Sequence, residues 1–328
     1  MAGILDTLLR LLGQGFFFLY NTIGFHNFGL TIIFFTVITK LILLPLTLKS
    51  MKSTQEMNAL QPEVKRIQEK YKNDKEKQNQ EIQKLYKDNN VSCMGGCLPM
   101  LLQFPILIAL YSVLRRPLTL VVGKSEEVVM NMVNSLPETL QKFVLYTQNT
   151  ETIEKVSQIN ELKLIDALSN NPEYLNSSIT AGDLINLNFL GLDLGKVPSI
   201  NPSVIFGPEI GTYLPLLLIP IVGVILTVIS QKLMTPPVAK VDDKKKDEKN
   251  PMGGMNNMMK YMIPGMTLYF SFVLPASMGL YWSCTYAFQI AQQLVINKRK
   301  KEKAEADKQK QLQVPDTDTK KKPEGGNK

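Results

Sequence analysis

Lys40 is the residue of this chain best placed to do chemistry. It is the single charge in Phe28–Leu48 (FGLTIIFFTVITKLILLPLTL), a run otherwise free of charged side chains. A bilayer-crossing helix takes ~20 apolar residues, and a lysine inside one costs roughly 2.5–3.5 kcal/mol on the lenient insertion scale. A lysine retained at that cost is paired, faces a wet cavity, or acts on something. On a helix Thr36, Lys40 and Thr47 share one stripe. A straight helix to Leu48 would start the ammonium ~12 Å below its end. The plainer explanation is snorkelling to the headgroups. More polar groups lie in other apolar runs: Gln103 in the second, Gln231 ending the third, and Gln289, Gln292 and Gln293 in the last. Amides in lipid need partners, and one shared hydrated cavity would serve them together. Tyr281 and Trp282 lie about a turn and a half into the last run, where an interfacial aromatic belt is the simplest account.

Other chemistry is sparse. The cysteines are Cys93, Cys97 and Cys284, and the only histidine is His26. Cys93 and Cys97 form CMGGC, but a zinc site needs two further ligands, and a disulfide is not expected in a reducing compartment. The chain has no HExxH, phosphate-binding glycine loop, GxSxG or intramembrane aspartate pair. No enzyme, metal or cofactor is therefore expected.

The elements that must position Lys40 are long apolar segments. Mean hydropathy is near neutral, yet very apolar and very polar stretches alternate. Five runs qualify as spans: Phe28–Leu48, Cys97–Leu114, Tyr213–Gln231, Tyr261–Leu274 and Ala276–Asn297. The fourth is short unless it begins near Met258, and Pro275-Ala276-Ser277 makes the last two a tight hairpin. Lysine and arginine set the orientation. Lys49–Asn90 holds ten, Lys232–Lys260 seven and Lys298–Lys328 eleven, whereas Val121–Asp183 holds four against nine acidic residues. The expectation is an N-terminus outside, a C-terminus inside, and an outer segment 121–212. Arg115-Arg116 at the outer end of the second span is the local exception. The net charge of +8 is thus concentrated where anionic lipid headgroups or nucleic acid would be met.

Residues 1–27 read as an amphipathic helix on the outer surface, with a sixth span as the alternative. Residues 28–298 form the core. Within it, 49–90 carries Leu60, Val64, Ile67, Tyr71, Ile82, Leu85 and Tyr86 at helical spacing around an Asn73-Asp74 turn, which predicts a cytosolic helical hairpin. Pro62 marks a new helix start. The 232–260 loop and the 299–328 tail read as mobile and basic. The segment 121–212 predicts helices over 125–148 and 150–168 and holds no evident site.

GGCLPMLLQFPILIALY (Gly95–Tyr111) closely resembles the second-core-span motif of the YidC-type membrane protein insertases. TKLILLPLTLKSMKSTQEMNALQPEVKRIQEKY, NFLGLDLGK, YLPLLLIPIVGVILTVISQKLM and PASMGLYWSCTYAFQIAQQL agree in order around it. Together they cover most of Phe28–Lys298. The resemblance implies an all-α polytopic membrane protein of the bacterial plasma membrane. Its five-span core would enclose a hydrated groove open to the cytosol and to lipid, with a flexible cytosolic hairpin. Lys40 matches the family's positive groove residue, usually arginine, so the charge is kept and the forked donor geometry is not. Thr36, Trp282 and, with less support, Gln231 match positions that contact the inserting chain, and Gly95, Gly96, Cys97, Pro99, Pro105 and Tyr111 match the motif. The implied partners are nascent membrane proteins, the ribosome, the Sec translocon and anionic lipids, not DNA, and one monomer could form the groove. A solute transporter built on the same lysine would pair it with an intramembrane acid or show repeats, and neither is present in the core spans. A non-catalytic assembly scaffold would tolerate neutralisation of Lys40.

Overall fold

The computed structural model describes residues 2–91, 98–145, 159–234 and 251–312. It is almost wholly helical, with one two-residue hairpin as its only sheet among the described residues. Helix α1 spans Ala2–Asn21 and α2 spans Phe28–Ile42, the latter started by Asn27, whose side chain accepts from the Leu30 amide. The expected straight helix to Leu48 does not form. Pro45 has no N–H for the Leu41 carbonyl and its ring crowds that oxygen. The helix stops at Leu43, and α3 (Leu44–Ala59) continues with a bend of 64°. Lys40 accordingly sits in the last turn of α2.

Helices α4 (Gln61–Lys70) and α5 (Lys75–Asp88) form the expected hairpin, with Pro62 in the first turn of α4 and Asp74 capping α5 at the Lys77 amide, 2.9 Å. Val64, Ile82 and Tyr86 are buried together, with Met57, Leu60, Ile67, Leu85 and Val91 against them, as a small core of their own.

Helix α6 is Leu98–Arg115, followed by a π-helical turn, Pro117–Val121. The helix expected over 125–148 is broken before Pro137 into α7 (Glu126–Ser135) and α8 (Glu138–Val144). Of 150–168, the described part forms α9 (Glu161–Asn170). Strands β1 (Asn188–Phe189) and β2 (Leu192–Asp193) meet across Leu190 and Gly191, both at positive φ, as a tight hairpin turn requires. Helix α10 (Pro202–Ile205) precedes α11 (Ile210–Leu216) and α12 (Leu218–Met234), which together make a 25-residue apolar helix.

Helix α13 runs Pro251–Ser271, starting well before Tyr261. Methionine is a strong helix former, and Pro251 suits a first-turn position. The last helix, α14, covers Ala276–Leu312, so the polar tail expected to be mobile is helical as far as Leu312. Its Lys/Glu/Ala/Gln composition favours this, and Lys298–Glu302 pair one turn apart at 3.9 Å.

Helix α14 lies against both α12 and α2, α13 lies on α12, and α1 packs on α6 and α2. Small residues allow the α12–α14 approach. A Cβ on Gly279 would lie 2.6 Å from Ile219 Cγ2, and one on Gly223 would lie 3.4 Å from Ser283 Oγ. Phe16 of α1 wedges against Phe28 and Phe35, at 5.3 and 5.6 Å between ring centroids. Buried residues of the 121–212 segment (Val129, Leu162, Ile165, Leu194) belong to the same core as Phe28, Leu114 and Tyr281. This segment caps one end of the bundle by main-chain bonds. Phe28 and Ala276 amides donate to the Asn186 and Lys196 carbonyls, at 3.2 and 2.9 Å, and Ser277 donates to Leu194, 3.0 Å.

Candidate functional site

The site is built from two helix faces. On α2, Thr36 is fully buried and Lys40, one turn later, keeps only 8% of its surface. The Thr36 hydroxyl donates to the Ile32 carbonyl at 2.6 Å, so its proton is used within the helix and its lone pairs remain. On α14, Tyr281, Thr285, Gln289 and Gln292 recur at helical spacing, on one face. Tyr281 and Thr285 are buried.

Two glutamines of this face reach other helices. Ser230 of α12 donates to Gln289 Oε1 at 3.2 Å, and Gln292 Nε2 reaches Thr47 Oγ1 of α3 at 3.5 Å and Met51 Sδ at 3.3 Å. Gln292 thus ties α14 to α3 just past the bend that follows Lys40. Among the described residues, Thr285 Oγ1 and Gln293 Oε1 are buried with no protein hydrogen-bond partner. Buried polar atoms normally find one, so these are places where water or a guest polar group would be accepted.

The other expected site residues are dispersed. Trp282 is half-buried between α13 and α14, its ring 6.1 Å from Phe270. One residue along a helix turns ~100°, so Trp282 leaves the face that Tyr281 occupies. Gln231 is half-buried in the last turns of α12. Gln103 and Pro99 lie on α6, with side chains outside the described set, and Gly95, Gly96 and Cys97 lie outside the described residues. Pro105 is exposed within α6. The Tyr111 hydroxyl accepts from Arg115 Nη1 at 2.9 Å, and its ring lies 5.6 Å from the guanidinium. Tyr111 packs against the main core and holds an arginine.

A cluster that the sequence pattern did not reveal lies in the capping segment. Glu161 is fully buried and accepts from the Thr119 amide, 3.0 Å, and from the Thr119 hydroxyl. Arg116 contacts it at 3.6 Å and Glu126 at 2.6 Å. Burial pushes the Glu161 carboxyl above its usual range, with Thr119 and Arg116 opposing. Burial also opposes ionisation of Asp183, but Lys124, 2.8 Å away, and Thr180 outweigh it and hold that carboxyl below its usual range. Arg116 is thus matched by acids within the cap, which accounts for one of the two arginines that break the charge asymmetry. The partners stand 42 residues apart between Thr119 and Glu161, with no local spacing to signal them.

Comparison with known proteins gives the family. The sequence pattern of the family described as 60Kd inner membrane protein matches residues 18–304. Proteins named membrane protein insertase YidC are similar to this chain. That of Clostridium tetani is 58% identical over 88 residues, 27% of this chain and 40% of that protein. That of Fusobacterium nucleatum is 51% identical over 108 residues, 32% of this chain and 53% of the other. That of Clostridium perfringens is 55% identical over 87 residues, 26% and 37% of the two chains. The matched stretches thus span 37% to 53% of these relatives. A match of this extent to one sequence pattern, on a mostly helical chain with an apolar helix long enough to cross a bilayer, places it plainly: the chain belongs to the 60Kd inner membrane protein family.

Proposed function

We propose that this protein is a membrane protein insertase working without nucleotide hydrolysis, with Lys40 supplying positive charge to a hydrated groove between α2 and α14. The observation that carries the proposal is the burial of Lys40 one turn from buried Thr36, in a bacterial membrane protein family whose relatives bear the insertase name. The domain plan proposed is a core over 28–298 with spans formed by α2, α6, α11–α12, α13 and the first part of α14. The α4–α5 hairpin and the end of α14 face the cytosol, and the 121–212 cap faces outward. Thr36, Gln103, Gln231, Tyr281 and Trp282 are assigned to the path of the client.

A short polar or acidic stretch of a nascent chain enters the groove from the cytosol, where water and Lys40 lower its desolvation cost. Its apolar stretch slides past Trp282 into lipid, and the burial of ~20 apolar residues drives the reaction. A membrane potential negative inside helps each acidic charge outward by ~2.3 kcal/mol per 100 mV. Clients are nascent membrane proteins with short outer segments poor in positive charge. The ribosome, the Sec translocon and anionic lipids meet the basic hairpin and tail.

The test is protease-protected insertion of a single-span client with an acidic outer tail into liposomes holding wild type, Lys40→Arg or Lys40→Ala. Insertion retained by arginine and lost with alanine is the expected result. Insertion no better than empty liposomes, with protein shown to be folded, would replace this function with the scaffold reading.

A further inference from the structure

The cap and the α1–α2 connection beside it carry bulky apolar side chains that the protein itself leaves uncovered. Phe25 is 76% exposed, Leu190 85% and Phe206 72%. Single exposed apolar residues need no explanation, but these have three features in common. Each sits in a stretch without Asp, Glu, Lys or Arg: Asn21–Phe28, Ile185–Gly191 and Val197–Pro208. Two of them hold a left-handed backbone, φ 50° at Phe25 and 54° at Leu190, a conformation that disfavours large side chains and suits Gly or Asn. All three stretches also adjoin the same end of the bundle. Phe25 is three residues before α2, and Phe189, next to Leu190, packs on Gly29 in the first turn of α2. Phe206 leads into exposed Ile210, Leu214 and Leu218, the apolar ridge of α11–α12.

We infer that these three loop tips form a lipid-docking surface, on which the cap dips into the headgroup–acyl boundary of the outer leaflet. The occupant is lipid, because Phe206 continues the exposed apolar face of a helix long enough to cross the bilayer, Phe25 and Leu190 adjoin the start of the apolar helix α2, and none of the three stretches carries a charge to keep it in water. Interfacial elements of this kind bury their apolar side ~5–10 Å deep. Docking would hold the start of α2 at a fixed depth. Lys40 lies twelve residues beyond Phe28, so the lipid contact sets the Lys40 backbone ~18 Å inward from that level. The inference takes the outward orientation of the cap from the proposed topology and does not rest on the insertase activity.

The test adds one tryptophan at a time to the full chain, Leu190→Trp or Phe206→Trp, with Ser169→Trp, at an exposed position near the end of α9, as the control. Emission of the parent, from Trp282, is subtracted, so no site residue is altered. In vesicles of phosphatidylcholine and phosphatidylglycerol, acyl chains brominated near the headgroup should remove more than about half of the added emission at 190 and 206, with little effect of aqueous iodide. Residue 169 should show the reverse. Iodide quenching at 190 and 206 like that at 169 would overturn the inference. Shielding from both quenchers would also overturn it, in favour of a protein contact.

Discussion

Lys40 and an acidic client residue should be coupled energetically, and the magnitude can be bounded. Two unit charges 5 Å apart attract by about 0.8 kcal/mol in bulk water and about 3 kcal/mol at the effective dielectric constant of protein sites. With only 8% of its surface exposed, Lys40 sits near the second limit. Neutralising it should therefore lower capture of an acidic client on the order of 100-fold. Lys40→Met is the informative variant, since it keeps chain length and adds no void. Thermal stability in detergent should be kept while insertion falls. A retained melting temperature separates a functional loss from misfolding. The assay is a double-mutant cycle in liposomes with four combinations: wild type or Lys40→Met, each with the client's outer aspartate kept or changed to asparagine. Once either charge is gone, removing the other should change the rate little. If the two losses instead multiply as independent effects, the client acid does not meet Lys40 and the groove charge has another role.

Gly29→Ala places a Cβ 2.3 Å from Phe189 Cγ, and should cost ~1–3 kcal/mol by overpacking; thermal melting should show recovery when Phe189→Leu is added. Glu161→Ala leaves the Thr119 amide without its acceptor, at ~1–3 kcal/mol, while Arg116 keeps Glu126. Glu161→Gln should lose less in denaturant unfolding, since its amide oxygen can still accept from Thr119. Asp183 titrates below its usual range in the folded protein, so its contribution is present above the unfolded value of about 4 and is lost as pH falls through the folded one. Unfolding followed from pH ~5 to ~3 should show that loss in wild type and a shallower one in Asp183→Asn.

Lys40, the hairpin 49–90 and the apolar segments were legible because each rests on local pattern: one charge in an apolar run, and a 3.6-residue period. The bend at Leu43 was also written locally, in Pro45, but membrane helices often absorb proline, so its outcome depended on packing. The extension of α14 to Leu312 follows helix propensity that a reading of charge runs as solvated tails set aside. The Glu161–Thr119–Arg116 cluster and the seating of Phe189 on Gly29 join residues far apart in sequence. No periodicity encodes such pairs, and the family motif did not point to them.

Helix α14 has a mechanical consequence. From Leu280 to Leu312 it contains neither proline nor glycine, and its 37 residues make a rod of ~55 Å. One end is fastened to the cap through Ala276 and Ser277, and further along Lys300 donates to Gln55 of α3. Such a rod is a lever. Lys300 stands 24 residues from Ala276, an arm of ~36 Å, so a tilt of about 5° about the α3 contact moves the capped end by roughly 3 Å. A load applied to the α3–α5 arm is thereby passed along one continuous helix, and through the α2 and α12 faces packed on it, to the opposite face of the bundle.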